Sequence, residues 1–172
     1  SLSVICHEGI VKASVLDVVH VLCKASDIIC KRYALMAMCN LSSNSVFRKP
    51  VTGSGGLNSA IILVESDDID MKLYACACLT NMSNNSVTQN MIVVHGGLPS
   101  LMKLANSTAA ELQRSAIFCL GNIAANESNH SAMVHHGTLV LLVKMTSSPL
   151  ISVRKASSLA LTNFAANKTV LS

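Results

Sequence analysis

Four five-residue stretches recur along the chain at one spacing: Asn40-Leu41-Ser42-Ser43-Asn44, Asn81-Met82-Ser83-Asn84-Asn85, Asn122-Ile123-Ala124-Ala125-Asn126 and Asn163-Phe164-Ala165-Ala166-Asn167. Their first asparagines, at 40, 81, 122 and 163, stand 41 residues apart in every case. A unit of about 40 residues cannot bury its apolar face alone, so a fixed period of this size belongs to a solenoid of stacked helical units.

The other landmarks keep the period. Segments such as Ile92-Val93-Val94-His95-Gly96 and Met133-Val134-His135-His136-Gly137 read as short helices closed by glycine, which accepts a left-handed backbone. Gly55 is in phase with Gly96 and Gly137, whereas Gly9 comes early, which predicts a five-residue insertion over Ile10 to Ser14. Leu16, Leu57, Leu98 and Leu139 follow in register, and Leu22, Leu63, Leu104 and Met145 come six residues later. With Val19, Ala60, Leu101 and Leu142 between them, these positions predict a second short amphipathic helix. Ser26-Asp27, Ser66-Asp67-Asp68, Ser107-Thr108 and Ser147-Ser148-Pro149 then read as loops able to cap the next helix.

The third and longest helix of each unit runs into the Asn pair. With the first Asn as position zero, apolar or small residues fill −10 (Cys30, Met71, Leu112, Val153), −6 (Ala34, Ala75, Ala116, Ser157) and −3 (Ala37, Cys78, Cys119, Ala160). They also fill −2 (Met38, Leu79, Leu120, Leu161) and +1 (Leu41, Met82, Ile123, Phe164). That spacing is one face of an α-helix, and positions −8, −4 and zero fall on another.

Composition agrees with helices packed on more than one side: 51% of residues are apolar, only 13% charged, and Trp is absent. Residues 1–172 read as one domain of about four units, approximately 1–44, 45–85, 86–126 and 127–167. The chain begins in an apolar-rich segment and stops just after the last Asn pair, so a fragment of a longer array is expected, because terminal repeats carry a polar capping face. Seven cysteines without CxxC spacing and without a leading signal segment predict reduced thiols and a cytoplasmic or nuclear location. No run of 18 apolar residues predicts a membrane span.

Three helices in 41 residues, glycine after the first, and the ending seen in Leu120-Gly121-Asn122-Ile123-Ala124-Ala125-Asn126 together resemble armadillo repeats of the catenin and importin-α type. The resemblance covers nearly the whole chain and implies an all-α fold, a right-handed α-α superhelix of three-helix repeats. It further implies that the third helices line a concave groove. There Asn40, Asn81, Asn122 and Asn163 would hydrogen-bond the backbone of an extended peptide, since an amide offers both a donor and an acceptor. The alternative is that these asparagines bond neighbouring helix termini. For the second asparagine of each stretch, a local backbone bond at a helix end is expected.

Position −8 holds Arg32, Leu73, Arg114 and Lys155, flanked at −9 by Lys31, Lys72, Gln113 and Arg154. A groove lined by that row would prefer an acidic or phosphorylated segment; otherwise the row is a solvated first turn of helix. Position −4, which is Trp in importin-α-type repeats that grip basic localisation signals, here holds Met36, Ala77, Phe118 and Leu159, which disfavours that guest. Tyr33 and Tyr74, at −7, offer aromatic contact or serve structurally.

Enzyme-like signals are weaker. Gly53-Ser54-Gly55-Gly56 lacks the Lys-Ser/Thr of a phosphate loop and coincides with the inter-helix turn. His7-Glu8 and His135-His136 lack zinc-site spacing, and Cys78 and Cys119 sit at a small-residue packing position. The expectation is a non-catalytic protein-binding scaffold without cofactor or metal, whose partner is an acidic protein or peptide segment. Self-association within a longer rod and an importin-α-like transport role are the alternatives. Nucleic-acid binding by the basic row is disfavoured, and would show a steep salt dependence.

Overall fold

Where each first helix must turn back on itself, the backbone passes through the left-handed region that an L side chain resists. Gly96 (φ 78°) and Gly137 (φ 75°) occupy those turns. The computed structural model describes residues 15–166. The insertion expected over Ile10 to Ser14, together with Gly9, His7-Glu8 and Asn167, lies outside the described residues.

The elements follow the 41-residue period. The first unit contributes α1 (Val15–Leu22) and α2 (Ile28–Ser43), and the second α3 (Ser45–Val51), α4 (Leu57–Leu63) and α5 (Ile69–Met82). The third unit holds α6 (Ser86–Val94), α7 (Gly97–Ala105) and α8 (Ala110–Ala124). The fourth holds a 3-10 turn (Glu127–Asn129), α9 (His130–His135), α10 (Thr138–Met145) and α11 (Ile151–Ala165). No strand occurs among the described residues.

The second unit keeps the expected glycine turn: α3, with Pro50 inside it, gives way to α4 through residues 52–56, and the direction changes at Gly55, whose φ of 89° matches the left-handed turns at Gly96 and Gly137. Gly55 is required on two grounds. Besides its backbone angle, a Cβ there would lie 2.6 Å from Cε1 of His20, whose ring packs against it from α1.

Polar residues at the helix ends satisfy backbone groups that a helix leaves open. In the three described stretches the second asparagine starts the helix that follows rather than closing its own. Asn44 Oδ1 accepts from Val46 N, Asn85 Oδ1 from Val87 N and Thr88 N, and Asn126 Oδ1 from Ser128 N. Asp27 and Asp68 cap α2 and α5 through Cys30 N and Met71 N. In the later units Ser107 and Ser148 accept from Ala109 N and Leu150 N.

The third helices stack in sequence, α2 on α5 on α8 on α11, and the expected apolar register forms the core. Positions −6 and +1 are buried in all four units. Three core positions stay open: Cys30 is exposed, and Ala37 and Leu161 are half-buried. They lie on the first and last described third helices, where only one flanking unit is described.

Candidate functional site

Stacking turns each register position into a row that crosses the molecule, one residue per third helix. In the row at position zero, the Asn81 Nδ2 group donates to the Cys39 carbonyl and to Ser42 Oγ, both at 3.2 Å. Asn122 repeats the arrangement, donating to Ser83 Oγ at 2.9 Å and, at 3.5 Å, to the Thr80 carbonyl. A carbonyl only accepts, which orients each amide. Both hydrogens of Nδ2 therefore face the preceding helix, and Oδ1 is left without a partner among the described residues. Asn163 lacks this clamp because Ala124 stands where the earlier units have Ser42 and Ser83. Asn40 is exposed and Asn163 half-buried.

The row at −8 divides in two. Arg32 forms ion pairs with Asp68 and, at 3.5 Å, with Asp70, so its charge is answered within the protein. The Met71 N–H and the Arg32 guanidinium hold the Asp68 carboxyl below the usual carboxylate range. Leu73 is half-buried. Arg114 and Lys155 are exposed, and neither has an ion-pair partner among the described residues. At −9 the long side chains serve the adjoining loops: Gln113 Nε2 donates to the Ala105 carbonyl, and Arg154 Nη1 to those of Ser148 and Pro149. Within the −8 row the cations free of an ion pair are thus Arg114 and Lys155, while at −9 Lys31 and Lys72 are half-buried and also have no ion-pair partner among the described residues.

One turn further along, Phe118 is 43% and Leu159 62% exposed, while Met36 and Ala77 are half-buried. Large apolar side chains left open on helices otherwise packed into the core mark the same face as Arg114 and Lys155. Tyr33 is exposed and Tyr74 half-buried. Between α2, α5 and α8 lies a cavity of about 370 Å³. Leu73, Tyr74 and Ala77 form its α5 wall and Arg114 reaches it from α8, so residues of the −8, −7 and −4 rows meet there.

Sequence reasoning missed four residues of this cavity, Cys39, Ser115, Asp70 and Glu111, of which the last two stand at −11 in successive units and line it together. The spacing of Asp70 and Glu111, one period apart, was a usable signal. No group of three or more His, Cys, Asp or Glu residues among those described is arranged to hold a metal ion. No helix among the described residues is long and apolar enough to cross a membrane.

Comparison with protein-family models gave no match, and neither did comparison with curated proteins. Solved structures are similar. An engineered protein solved by a structural genomics consortium superposes with TM-score 0.88 at 29% identity, over 93% of this chain and 66% of its own. Computationally designed armadillo repeat proteins for modular peptide recognition superpose with TM-score 0.90 at 22% identity, over 94% of this chain and 69% of theirs. A designed armadillo repeat protein in complex with the peptide (KR)4 gives TM-score 0.86 at 21% identity, over 92% of this chain and 68% of its own. The chain therefore spans about two thirds of these structures, and 40% of a further engineered protein. Four in-register units, their stacked third helices and these superpositions establish an armadillo-type fold, an all-α right-handed superhelix.

Proposed function

We propose that the chain is a non-catalytic scaffold that holds an extended peptide across its third helices, with an acidic or phosphorylated part of that peptide over Arg114 and Lys155. One observation carries the charge preference: two exposed cations, one period apart, have no ion-pair partner among the described residues, while Arg32 in the same row is neutralised by Asp68 and Asp70. Phe118 and Leu159, one turn away, supply apolar contact, and Oδ1 of Asn81 and Asn122 accepts from ligand N–H groups. The designed neighbours named for peptide recognition support this class of ligand. The neighbour in complex with (KR)4 takes Lys-Arg repeats, whereas here the unpaired side chains are themselves basic. A cytoplasmic or nuclear setting belongs to the same reading, supported by the many cysteines at packing positions.

The test is fluorescence anisotropy with labelled peptides of equal length, one glutamate-rich, one phosphoserine-containing, one neutral and one of Lys-Arg repeats. The first two should bind about tenfold tighter than the others, equivalent to about 1.4 kcal/mol. The Arg114→Ala/Lys155→Ala double variant should lose that preference, and Arg32→Ala should keep it. Equal binding of all four peptides, or an unchanged preference in the double variant, defeats the charge assignment.

Ile151 (59% exposed) and Leu159 on α11 favour a second reading, self-association through that helix. Sedimentation velocity across a range of concentrations decides it: a dimer lost on Ile151→Glu supports the reading, and a monomer throughout rejects it.

A further inference from the structure

Cys39 and Cys78 meet across the interface of α2 and α5. Cys39 precedes Asn40 by one residue and Cys78 precedes Asn81 by three, so stacking brings together thiols that lie far apart in sequence. Asn81 Nδ2, one turn after Cys78 on α5, donates to the Cys39 carbonyl at 3.2 Å, which sets the two cysteines beside each other across the interface. Cys78 is sealed in the core, 0% exposed, with its Sγ 3.8 Å from the Leu35 carbonyl oxygen. Cys39 differs in access: it is half-buried and lines the cavity of about 370 Å³ on the groove face. Cys39 therefore has a route to solvent that Cys78, sealed in the core, lacks. The same register pairs Thr80 with Cys119 and Gly121 with Ala160 at the next two interfaces, which confines the thiol pair to the first.

We propose that Cys39 is an oxidation site on the floor of the groove, and that its reaction with a hydroperoxide ends in a Cys39–Cys78 disulfide joining the first two units. The Cys39 thiolate attacks one oxygen of the peroxide, the O–O bond breaks, and the departing alkoxide or hydroxide takes up a proton. Sulfur loses two electrons and becomes a sulfenic acid. The Cys78 thiol then attacks that sulfur, the S–O bond breaks, and the oxygen leaves as water with the Cys78 proton.

Ionisation follows access. The neighbouring Cys78 thiol holds the Cys39 thiol below its ordinary value, while burial pushes Cys78 up. Burial also pushes Cys23 up to about 11 and Cys76 up to about 12, and raises Cys119. Exposed Cys30 is raised by its hydrogen bond to the Asp27 carboxylate. Cys39 alone among the described thiols combines a route to solvent with a lowered value.

Brief iodoacetamide labelling of the full chain, followed by peptide mass mapping, should modify Cys39 about tenfold faster than Cys30. Hydrogen peroxide should then give a Cys39–Cys78 linked peptide under non-reducing conditions. The linked form should melt about 5 °C or more higher, because the bond closes a long loop, and dithiothreitol should reverse the shift. Cys78→Ala is the control variant, since Ala37 and Ala160 occupy the same register. With an unchanged circular dichroism spectrum, it should stop at a Cys39 sulfenic acid that dimedone traps. Faster labelling of Cys30 than of Cys39, or peroxide treatment that links another pair or none, overturns the proposal.

Discussion

Two glycines with similar backbone angles carry different penalties for substitution. At Gly96 nothing lies within 4 Å of a would-be Cβ, so Gly96→Ala meets only the left-handed backbone cost of about 1 kcal/mol. At Gly55 the added carbon also meets the His20 ring at 2.6 and 2.8 Å, displacing an imidazole whose Nδ1 lies 3.0 Å from Ser59 Oγ. Loss of that hydrogen bond adds about 1 kcal/mol, so Gly55→Ala should cost about twice as much as Gly96→Ala in urea unfolding. Equal losses would mean that the ring moves freely. Asp68 makes a pH-dependent contribution at the same scale. The Met71 N–H and Arg32 lower its folded-state value, so its stabilisation is fully present above the unfolded value and is lost as pH falls below about 4. Denaturation midpoints should therefore drop more steeply on acidification in the natural chain than in Asp68→Asn; parallel profiles would remove Asp68 from the account.

Helix starts show how one residue type serves two functions a single turn apart. Asn81 and Asn122 bind the preceding third helix, whereas Asn85 and Asn126 begin the next unit. Asn85→Ala should cost about 1 kcal/mol by leaving the first N–H groups of α6 without an acceptor, and Asn85→Ser should recover most of it. If the two variants unfold alike in urea, the capping assignment fails. The units, the helix register and the glycine turns were legible in the sequence because they depend on spacing, and spacing repeats every 41 residues. The fate of the basic residues was not. Arg32 finds Asp68 and Asp70 on the next third helix and Arg154 folds back onto a loop, whereas Arg114 and Lys155 at −8 are exposed and have no ion-pair partner among the described residues. A long side chain has several polar groups within reach, and which one it meets is decided by the fold: Arg32 pairs 36 positions along the chain, whereas Arg154 bonds carbonyls six and five positions back. The clamp on Asn81 and Asn122 matches the alternative that the sequence left open, a bond to the neighbouring helix end; its partners Ser42 and Ser83 become legible only when stacking places them under the next amide.

At the scale of the whole chain, stability is carried by the interfaces between consecutive units, because a stacked repeat touches only its neighbours. Position −2 exposes the consequence. Leu79 and Leu120 are fully buried, while Leu161 at the same register on α11 is only half-buried. Leu120→Ala leaves a cavity inside the molecule and should cost about 3 kcal/mol, and Leu161→Ala about 1 kcal/mol, because the area it removes from water is smaller. Location matters as much as size. A cavity in α8 weakens the hold on the fourth unit, which has a single described interface, while α2 and α5 keep theirs. Amide exchange of Leu120→Ala should therefore quicken most in α10 and α11, less in α8, and least in α5. Leu79→Ala, one period earlier, should shift that pattern so that α1 and α2 exchange sooner relative to α11. A uniform rise in exchange from α1 to α11 in both variants would mean that the chain opens as one cooperative body, and nearest-neighbour coupling would not describe it.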